Sequence, residues 1–165
     1  MTIREERPED RAQVRSVNEA AFDRRDEADL VEALRDEGAV LLSLVAEVGG
    51  EVAGHILFSR MTVETERGPV DAVALAPMAV MPERQGRGVG SELVRGGLSR
   101  LGERGERIVI VLGHEHYYPR FGFSAQKARE LESPFPPEAY MALELVEGAL
   151  EGVRGKVRYA AAFGL

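Results

Sequence analysis

The stretch with the clearest chemical potential is AVALAPMAVMPERQGRGVGS, residues Ala72–Ser91. It begins as a continuous apolar run, which is typical of a strand buried on both faces, and breaks at Pro82 into a basic, glycine-rich turn before a helical pattern. A glycine-rich loop that enters a helix favours anions, because its amides point outward and the helix dipole adds positive charge. The stretch therefore predicts a phosphate-binding turn built from Arg84, Gly86, Arg87, Gly88 and Gly90.

The spacing within this loop narrows the kind of phosphate site. No Gly-Lys-Ser/Thr follows, as a P-loop requires, and Ser91 stands where a dinucleotide fingerprint needs its third glycine. The pattern that is present is Gln-x-x-Gly-x-Gly, formed by Gln85, Gly88 and Gly90 directly after the apolar run. It resembles the pyrophosphate loop of the GNAT superfamily of acyl-CoA-dependent N-acyltransferases. A glycine-rich turn that binds no ligand is the alternative interpretation.

A proline stands inside the apolar run. Pro77 would remove a hydrogen bond from a central strand, so either the strand begins at Met78 or a bulge bends it away from its parallel neighbour. A bulge would leave buried backbone groups of Met78, Ala79 and Val80 in need of partners. In GNAT enzymes such a V-shaped gap receives the pantetheine arm of the cofactor. The resemblance therefore implies that these three residues bind it.

A second motif follows at the distance expected for the same family. Tyr118, Gly122 and Phe123 form Tyr-x-x-x-Gly-Phe, and the strings VLGHEHYYPRFGF and YMALEL resemble a subgroup of small predicted bacterial acetyltransferases. The resemblance covers residues 73–123 well. It implies one N-acetyltransferase domain over residues 1–165. The implied fold is α/β (α+β), with a mixed, mostly antiparallel sheet, a V-shaped split between two parallel strands, and flanking helices.

Acyl transfer to an amine needs few catalytic groups. A primary amine with a pKa of ~10.4 must lose a proton before it attacks, and a thiol of pKa ~8.5 leaves more easily beside an acid. By resemblance Tyr118 is that general acid, with Tyr117 as the second choice and core packing as the alternative. An N–H at Met78 or Ala79 can stabilise the oxyanion. The resemblance further implies acetyl-CoA as co-substrate, no metal, and a pyrophosphate site made of Gln85, Gly86, Arg87, Gly88, Val89, Gly90 and Ser91.

The general base is left open by the sequence. The candidates are His114, Glu115 and His116 at the end of a predicted strand, and His55 in the string GHILF. For His55 a hydrogen-bonded core position is the commoner explanation, and a chain of water molecules is a further alternative for the base. We take His114 as the possible base.

Composition limits the functional classes. The chain has 165 residues, a net charge of −7 and no cysteine. The charge argues against nucleic-acid binding, and the lack of cysteine excludes disulfides and fits a cytoplasmic protein. No apolar run is long enough for a membrane span. We expect a small-molecule or peptide amine as the partner.

The pattern along the chain predicts the elements that position these residues. We expect an edge strand at the N-terminus, a helix from Pro8 to Phe22, a charged loop over Asp23–Asp29 and a second helix ended by Gly38. Gly96 and Gly97 should allow the helix after the loop to lie close to the sheet. The predicted strands are Val40–Val48, Glu51–Val63, Ile108–Leu112, Tyr140–Leu145 and Lys156–Phe163. A homodimer is possible through the terminal strand, since Val157–Phe163 could pair between subunits.

The leading hypothesis is an acetyl-CoA-dependent N-acetyltransferase in which a primary amine attacks the thioester directly. The alternative is a non-catalytic acyl-CoA-binding sensor or partner-binding module on the same fold, which the lack of an obvious base supports. A nucleotide-binding protein is disfavoured, because the loop lacks the lysine and the acidic residues expected around Mg²⁺.

Overall fold

A mostly antiparallel sheet of eight strands is the framework of the computed structural model, which describes all 165 residues. Its order is β1-β2-β3-β4-β5-β7, with β8 beside β3 and β6 beside β8. The strands are β1 (Thr2–Glu5), β2 (Val40–Val48), β3 (Glu51–Thr65), β4 (Gly68–Val80), β5 (Ile108–Leu112), β6 (Leu131–Glu132), β7 (Tyr140–Glu144) and β8 (Gly155–Arg158). The α-helices are α1 (Arg11–Phe22), α2 (Asp26–Glu37), α3 (Val89–Glu103) and α4 (Ala125–Ala128). The predicted fold class is confirmed.

The chain divides into two compact units, and both β3 and β4 contribute to each. Unit 1 consists of residues 1–59 and 76–99, and unit 2 consists of residues 60–75 and 100–165. The organisation of the chain as one functional domain stays a prediction.

Unit 1 contains the antiparallel strands β1 and β2 and the first part of β3. Gly49 and Gly50 join β2 to β3 with φ angles of 58° and 80°, the left-handed values that a two-residue hairpin turn requires and glycine adopts without strain. Strand β2 buries Leu42, Leu44 and Ala46 at alternate positions, and Val45 between the last two is buried as well. The predicted hairpin is therefore confirmed.

The helical part of unit 1 departs from the prediction at the start of each helix, and before α1 the residues Pro8–Asp10 form a 3₁₀ turn. Helix α2 begins at Asp26, so the predicted loop over Asp23–Asp29 is wrong beyond Arg25. Asp26, Glu27 and Asp29 are acidic residues in the first turn, where the positive end of the helix dipole stabilises them. Acidic residues that suggest a solvated loop in the sequence here form the first turn of a helix.

Close packing between α3 and the sheet is confirmed at Gly97. A Cβ built at Gly97 would lie 2.3 Å from Cε2 of the fully buried Phe58 on β3. The helix can approach the strand at this point because position 97 has no side chain.

Unit 2 contains the parallel pair that was predicted. The first part of β4 pairs in parallel with β5, from Val73↔Val109 to Leu75↔Val111, and β5 pairs antiparallel with β7. A buried apolar cluster built on these strands and on the second part of β3 includes Ile108, Ile110, Tyr140 and Met61.

The C-terminal strand is shorter than predicted. Strand β8 ends at Arg158, and residues Ala161–Phe163 form a 3₁₀ turn, so the prediction of a strand over Lys156–Phe163 is wrong beyond Arg158. The physical reason is side-chain pairing, because Tyr159 turns its hydroxyl to that of Tyr140, 2.8 Å away. Strand β8 also pairs with β3 on one side and, at Gly155 and Lys156, with β6 on the other, and the pairing between subunits stays a prediction.

Candidate active site

The loop after β4 is fastened to the end of that strand. The Gln85 Nε2 donates to the Val80 carbonyl at 3.0 Å. The Met81 N–H donates to the carbonyl of Ala53 on β3 at 2.9 Å, and residues Pro82–Arg84 form one 3₁₀ turn. The Gln85 side chain is thus used within the protein, where it fixes the start of the loop.

Residues 85–88 form a continuous exposed stretch of the loop. Gly86 and Gly88 have φ angles of 76° and 84°, and no atom lies within 4 Å of the point where a Cβ would stand on either. Side chains other than glycine are strained at these φ values. The backbone here is therefore bare and accessible, with the exposed Arg87 between the two glycines.

Helix α3 starts directly after these glycines. The Glu92 N–H donates to the Gly88 carbonyl at 3.0 Å, the bond that closes the first helical turn. The N–H groups before it, at Val89 and Gly90, have no acceptor within the helix. An anion beside the loop would meet these donors and the positive end of the helix dipole.

Gly54 on β3 sets how close this helix start lies to the sheet. A Cβ at Gly54 would stand 2.9 Å from Val89 Cγ1, 3.0 Å from Leu93 Cδ1 and 3.2 Å from the Ala79 carbonyl oxygen. A glycine inside an apolar strand is a known sign of close approach, and this one brings the first turn of α3 against β3.

Strand β4 continues past its pairing with β5. The last parallel pair is Leu75↔Val111, and the strand runs on to Val80 through Pro77, whose peptide bond with Ala76 is cis. The interpretation that the strand begins at Met78 is therefore wrong. Of the residues expected to bind pantetheine, Ala79 is buried, while Met78 and Val80 are partly exposed.

Tyr118 is buried in an aromatic cluster at the end of β5. It opens a 3₁₀ turn, Tyr118–Phe121, and its N–H donates to the His114 carbonyl at 3.2 Å. Its ring meets Tyr117 and Phe123 edge-on, with centroids 5.1 Å and 5.7 Å away. The residue is 7% exposed.

The Tyr118 hydroxyl is the polar tip of this apolar cluster. It has no hydrogen-bond partner within the protein. Burial raises the pKa of the hydroxyl to about 12, so it carries its proton at neutral pH. A buried ring with an unpartnered O–H can donate to a ligand.

The three polar residues before the tyrosines are exposed. The carbonyl of His114 accepts from the N–H groups of Tyr117 and Tyr118, so its backbone holds the turn together. The imidazole of His116 is 93% exposed and lies 3.5 Å from the Glu115 carboxylate. Among these, His114 is the residue whose backbone carbonyl bonds directly to the N–H of Tyr118.

His55 is a core residue of unit 1. The Asn18 Nδ2 donates to His55 Nδ1 at 3.1 Å, so Nε2 carries the proton and donates to Ser43 Oγ at 2.8 Å. Ser43 in turn donates to the Glu6 carboxylate at 2.6 Å. Burial lowers the pKa of His55 to about 4, and the imidazole is not exposed at all. It is the hydrogen-bonded core histidine, without access to a substrate proton.

Two further properties concern ligands and membranes. The structure holds no group of three or more histidine and acidic side chains arranged to bind a metal ion. None of its helices combines the length and apolarity that crossing a bilayer requires.

Comparison with known proteins decides the family. The model of the family described as Acetyltransferase (GNAT) domain matches residues 2–125. The uncharacterized N-acetyltransferase YjhQ of Escherichia coli K12 is 44% identical over 134 residues, which cover 78% of this chain and 74% of YjhQ. The chain belongs to the GNAT family.

Solved GNAT structures agree over nearly the whole length. The crystal structure of the GNAT family N-acetyltransferase YhbS from Escherichia coli in complex with CoA superimposes with a TM-score of 0.92 at 34% identity, over 99% of this chain and 92% of YhbS. A GNAT family acetyltransferase from Brucella melitensis in complex with acetyl-CoA has a TM-score of 0.83 at 38% identity, over 98% and 97% of the two chains. The resemblance stated from the motifs is confirmed, and the chain is a member of an acyltransferase family.

The residues predicted for this GNAT site fall into two groups. Those from Met78 to Ser91 all lie in unit 1, as the end of β4, the exposed loop and the start of α3. His114 and Tyr118 lie together in unit 2. Sequence reasoning missed Gly54, for which a glycine within an apolar strand was the available signal, and Asn18, which gave none.

Proposed function

We propose that this chain transfers an acetyl group from acetyl-CoA to a primary amine of a small molecule or a peptide. The observation that carries the proposal is the exposed loop with its two open, left-handed glycines, Gly86 and Gly88, at the start of α3. Bare amides beside a helix N-terminus fit a pyrophosphate. Two relatives of this chain were crystallised with CoA or acetyl-CoA.

The proposed binding residues follow from this fit. In the stretch Gln85 to Ser91, backbone N–H groups after Gln85 would hold the pyrophosphate, Gln85 would fix the start of the loop, and Arg87 would add positive charge. The backbone of Met78, Ala79 and Val80 would pair with the pantetheine arm, and an N–H at Met78 or Ala79 would stabilise the charge that develops on the carbonyl oxygen. Acetyl-CoA supplies the thioester and the thiol leaving group.

Tyr118 is the general acid in this proposal. As the amine nitrogen bonds to the acyl carbon, the carbon–sulfur bond breaks, and the Tyr118 hydroxyl gives its proton to the departing sulfur. The phenolate then regains a proton from solvent. A hydroxyl that is protonated at neutral pH and has no partner in the protein suits this role.

His114 is the proposed base that takes the proton from the attacking amine. Its carbonyl holds the turn of Tyr118, so the substitution His114→Asn keeps that backbone bond while it removes the imidazole. We expect turnover to fall about tenfold, with the affinity for acetyl-CoA unchanged. An unchanged rate would mean that water removes the proton.

The test of the whole proposal is an acetyl-CoA assay with a panel of amines and peptides, in which a thiol reagent follows free CoA. We expect amine-dependent thiol release by the wild type, and a fall of about 10²-fold in kcat for Tyr118→Phe with little change in CoA affinity. Binding of acetyl-CoA without amine-dependent release would favour the non-catalytic sensor. Unchanged turnover of Tyr118→Phe would remove the acid role. A cytoplasmic location and a homodimer remain predictions from the sequence.

A further inference from the structure

Gly113, the residue directly after β5, lies against the ring of Tyr118. A Cβ built at Gly113 would stand 2.3 Å from Cε2 and 2.6 Å from Cδ2 of that ring. Carbon atoms do not approach so closely, so any side chain at position 113 must displace the ring. Gly113 does not have a positive φ, which means that glycine is needed here for space and not for backbone conformation.

The ring has little room to move aside. Tyr117 and Phe123 meet it edge-on, and Phe121 lies with its centroid 6.3 Å away. Gly113 itself is anchored, because its N–H donates to the Ala139 carbonyl at 2.9 Å, just before β7. The position of the ring is thus set from one side by the aromatic cluster and from the other by a fixed stretch of bare backbone.

We propose that Gly113 is a positioning residue for acyl transfer, which places the hydroxyl of Tyr118 by giving the ring a flat backbone surface to lie on. This inference rests on the proposed function, in which Tyr118 is the general acid. An acid must lie within hydrogen-bond reach of the atom that it protonates, and a displacement of about 1 Å can cost orders of magnitude in rate. The Tyr-x-x-x-Gly-Phe motif does not include Gly113.

The test is Gly113→Ala, with Gly102→Ala in α3 as the matched control. Gly102 also lacks a positive φ, and no atom lies within 4 Å of its Cβ position, so its substitution changes residue type without a collision. We expect Gly113→Ala to lower kcat at least tenfold while the KM for acetyl-CoA stays within about threefold, and the control to keep full activity. A kcat of Gly113→Ala within about twofold of the wild type would overturn the inference.

A double mutant separates positioning from general damage. If Gly113 acts through the Tyr118 hydroxyl, Gly113→Ala combined with Tyr118→Phe is no slower than Tyr118→Phe alone, because the acid is already absent. Multiplied losses in the double mutant would contradict the inference. Full activity of Tyr118→Phe would instead remove the proposed acid, so the two failures are distinguishable.

A stability measurement covers the case in which Gly113→Ala does not fold. In a Tyr118→Ala background the colliding ring is gone, so adding Gly113→Ala should leave the melting temperature unchanged. A large further loss of Tm in that background would show that the ring is not what position 113 accommodates, and would overturn the inference.

Discussion

The exposed loop of residues 85–88 and the turn Tyr118–Phe121 both depend on glycine, in opposite ways. At Gly86 and Gly88 nothing occupies the space where a side chain would stand, and the backbone is left-handed. At Gly113 the space is filled by the Tyr118 ring, and φ is not positive. The first arrangement leaves backbone groups available to something outside the protein, whereas the second serves contacts inside it.

The same contrast holds for two buried polar groups. Both nitrogens of His55 have partners within unit 1, while the hydroxyl of Tyr118 has none in the protein. Internal hydrogen bonds contribute to stability, whereas the unpartnered hydroxyl of Tyr118 can donate to a ligand. Substitutions at the open, left-handed glycines of the loop should therefore affect ligand binding, and substitutions at the filled core positions His55 and Gly97 should affect folding.

The largest effect is expected at an open position, for Gly88→Glu. A carboxylate in the loop would repel a pyrophosphate, and a side chain at a φ of 84° is strained, so we expect CoA affinity to fall about 10³-fold. Isothermal titration calorimetry with CoA measures this loss.

The matched control is Gly68→Glu at the start of β4. Gly68 also has a positive φ, 108°, and no neighbour within 4 Å of its Cβ position, so it carries the same strain and the same added charge. Its CoA affinity should be close to that of the wild type. Equal losses in both variants would show that charge and strain alone, and not the loop, reduce binding.

The second effect concerns stability in acid and tests His55, whose two ring nitrogens both have partners inside the protein. Its pKa is about 4 in the folded protein and ~6.5 unfolded, so the unfolded chain binds the proton more tightly. The stability from neutral His55 is complete above pH ~6.5 and declines as the pH falls towards 4, by about 3 kcal/mol in total. Urea unfolding of the wild type at a series of pH values measures the decline.

The variant His55→Gln isolates this contribution. Glutamine can accept from Asn18 and donate to Ser43 but does not titrate in this range. Glu6, 4.0 Å from the imidazole, and Arg35, which pairs with Glu6, are the charged groups nearby and remain in the variant. We expect a flatter decline for the variant between pH ~6.5 and 4. Parallel curves for the two proteins would show that carboxylates, and not His55, govern acid stability.

The third effect is that of Gly97→Ala in α3, where the ring of Phe58 occupies the space that a side chain would need. The new methyl would overlap the buried ring of Phe58, and overpacking of this kind costs about 2 kcal/mol. Denaturant unfolding should show the loss, and CoA affinity of the folded protein should change little. Phe58→Leu should restore part of the stability in the double mutant, whereas additive losses would mean that the two residues do not compete for space.

Elements whose signal lies within one segment were predictable. The apolar run of β5 was predicted with the bounds that the structure shows, and the loop and tyrosine motifs were sufficient to indicate the family. The start of α2 was not predictable, because acidic residues occur both in loops and in the first turn of a helix. The end of β8 was not predictable either, because Tyr159 leaves the strand to form a hydrogen bond with Tyr140, which is distant in sequence. The role proposed for Gly113 could not be predicted from the sequence, because a sequence does not show which side chain packs against a glycine.

The smallest expected effect, that of Gly102→Ala, is the most direct test of the division between open and filled glycine positions. Gly102 is an open position with an ordinary helical backbone, so it serves neither a packed neighbour nor a left-handed turn. Alanine costs less backbone entropy than glycine in a helix, and Gly102→Ala near the end of α3 should stabilise the protein by about 0.5 kcal/mol. Thermal unfolding measures a small rise in Tm, with activity unchanged. A loss of stability would mean that empty space around a glycine does not by itself distinguish positions that the fold can fill, and the division between open and filled glycines would then fail for α3.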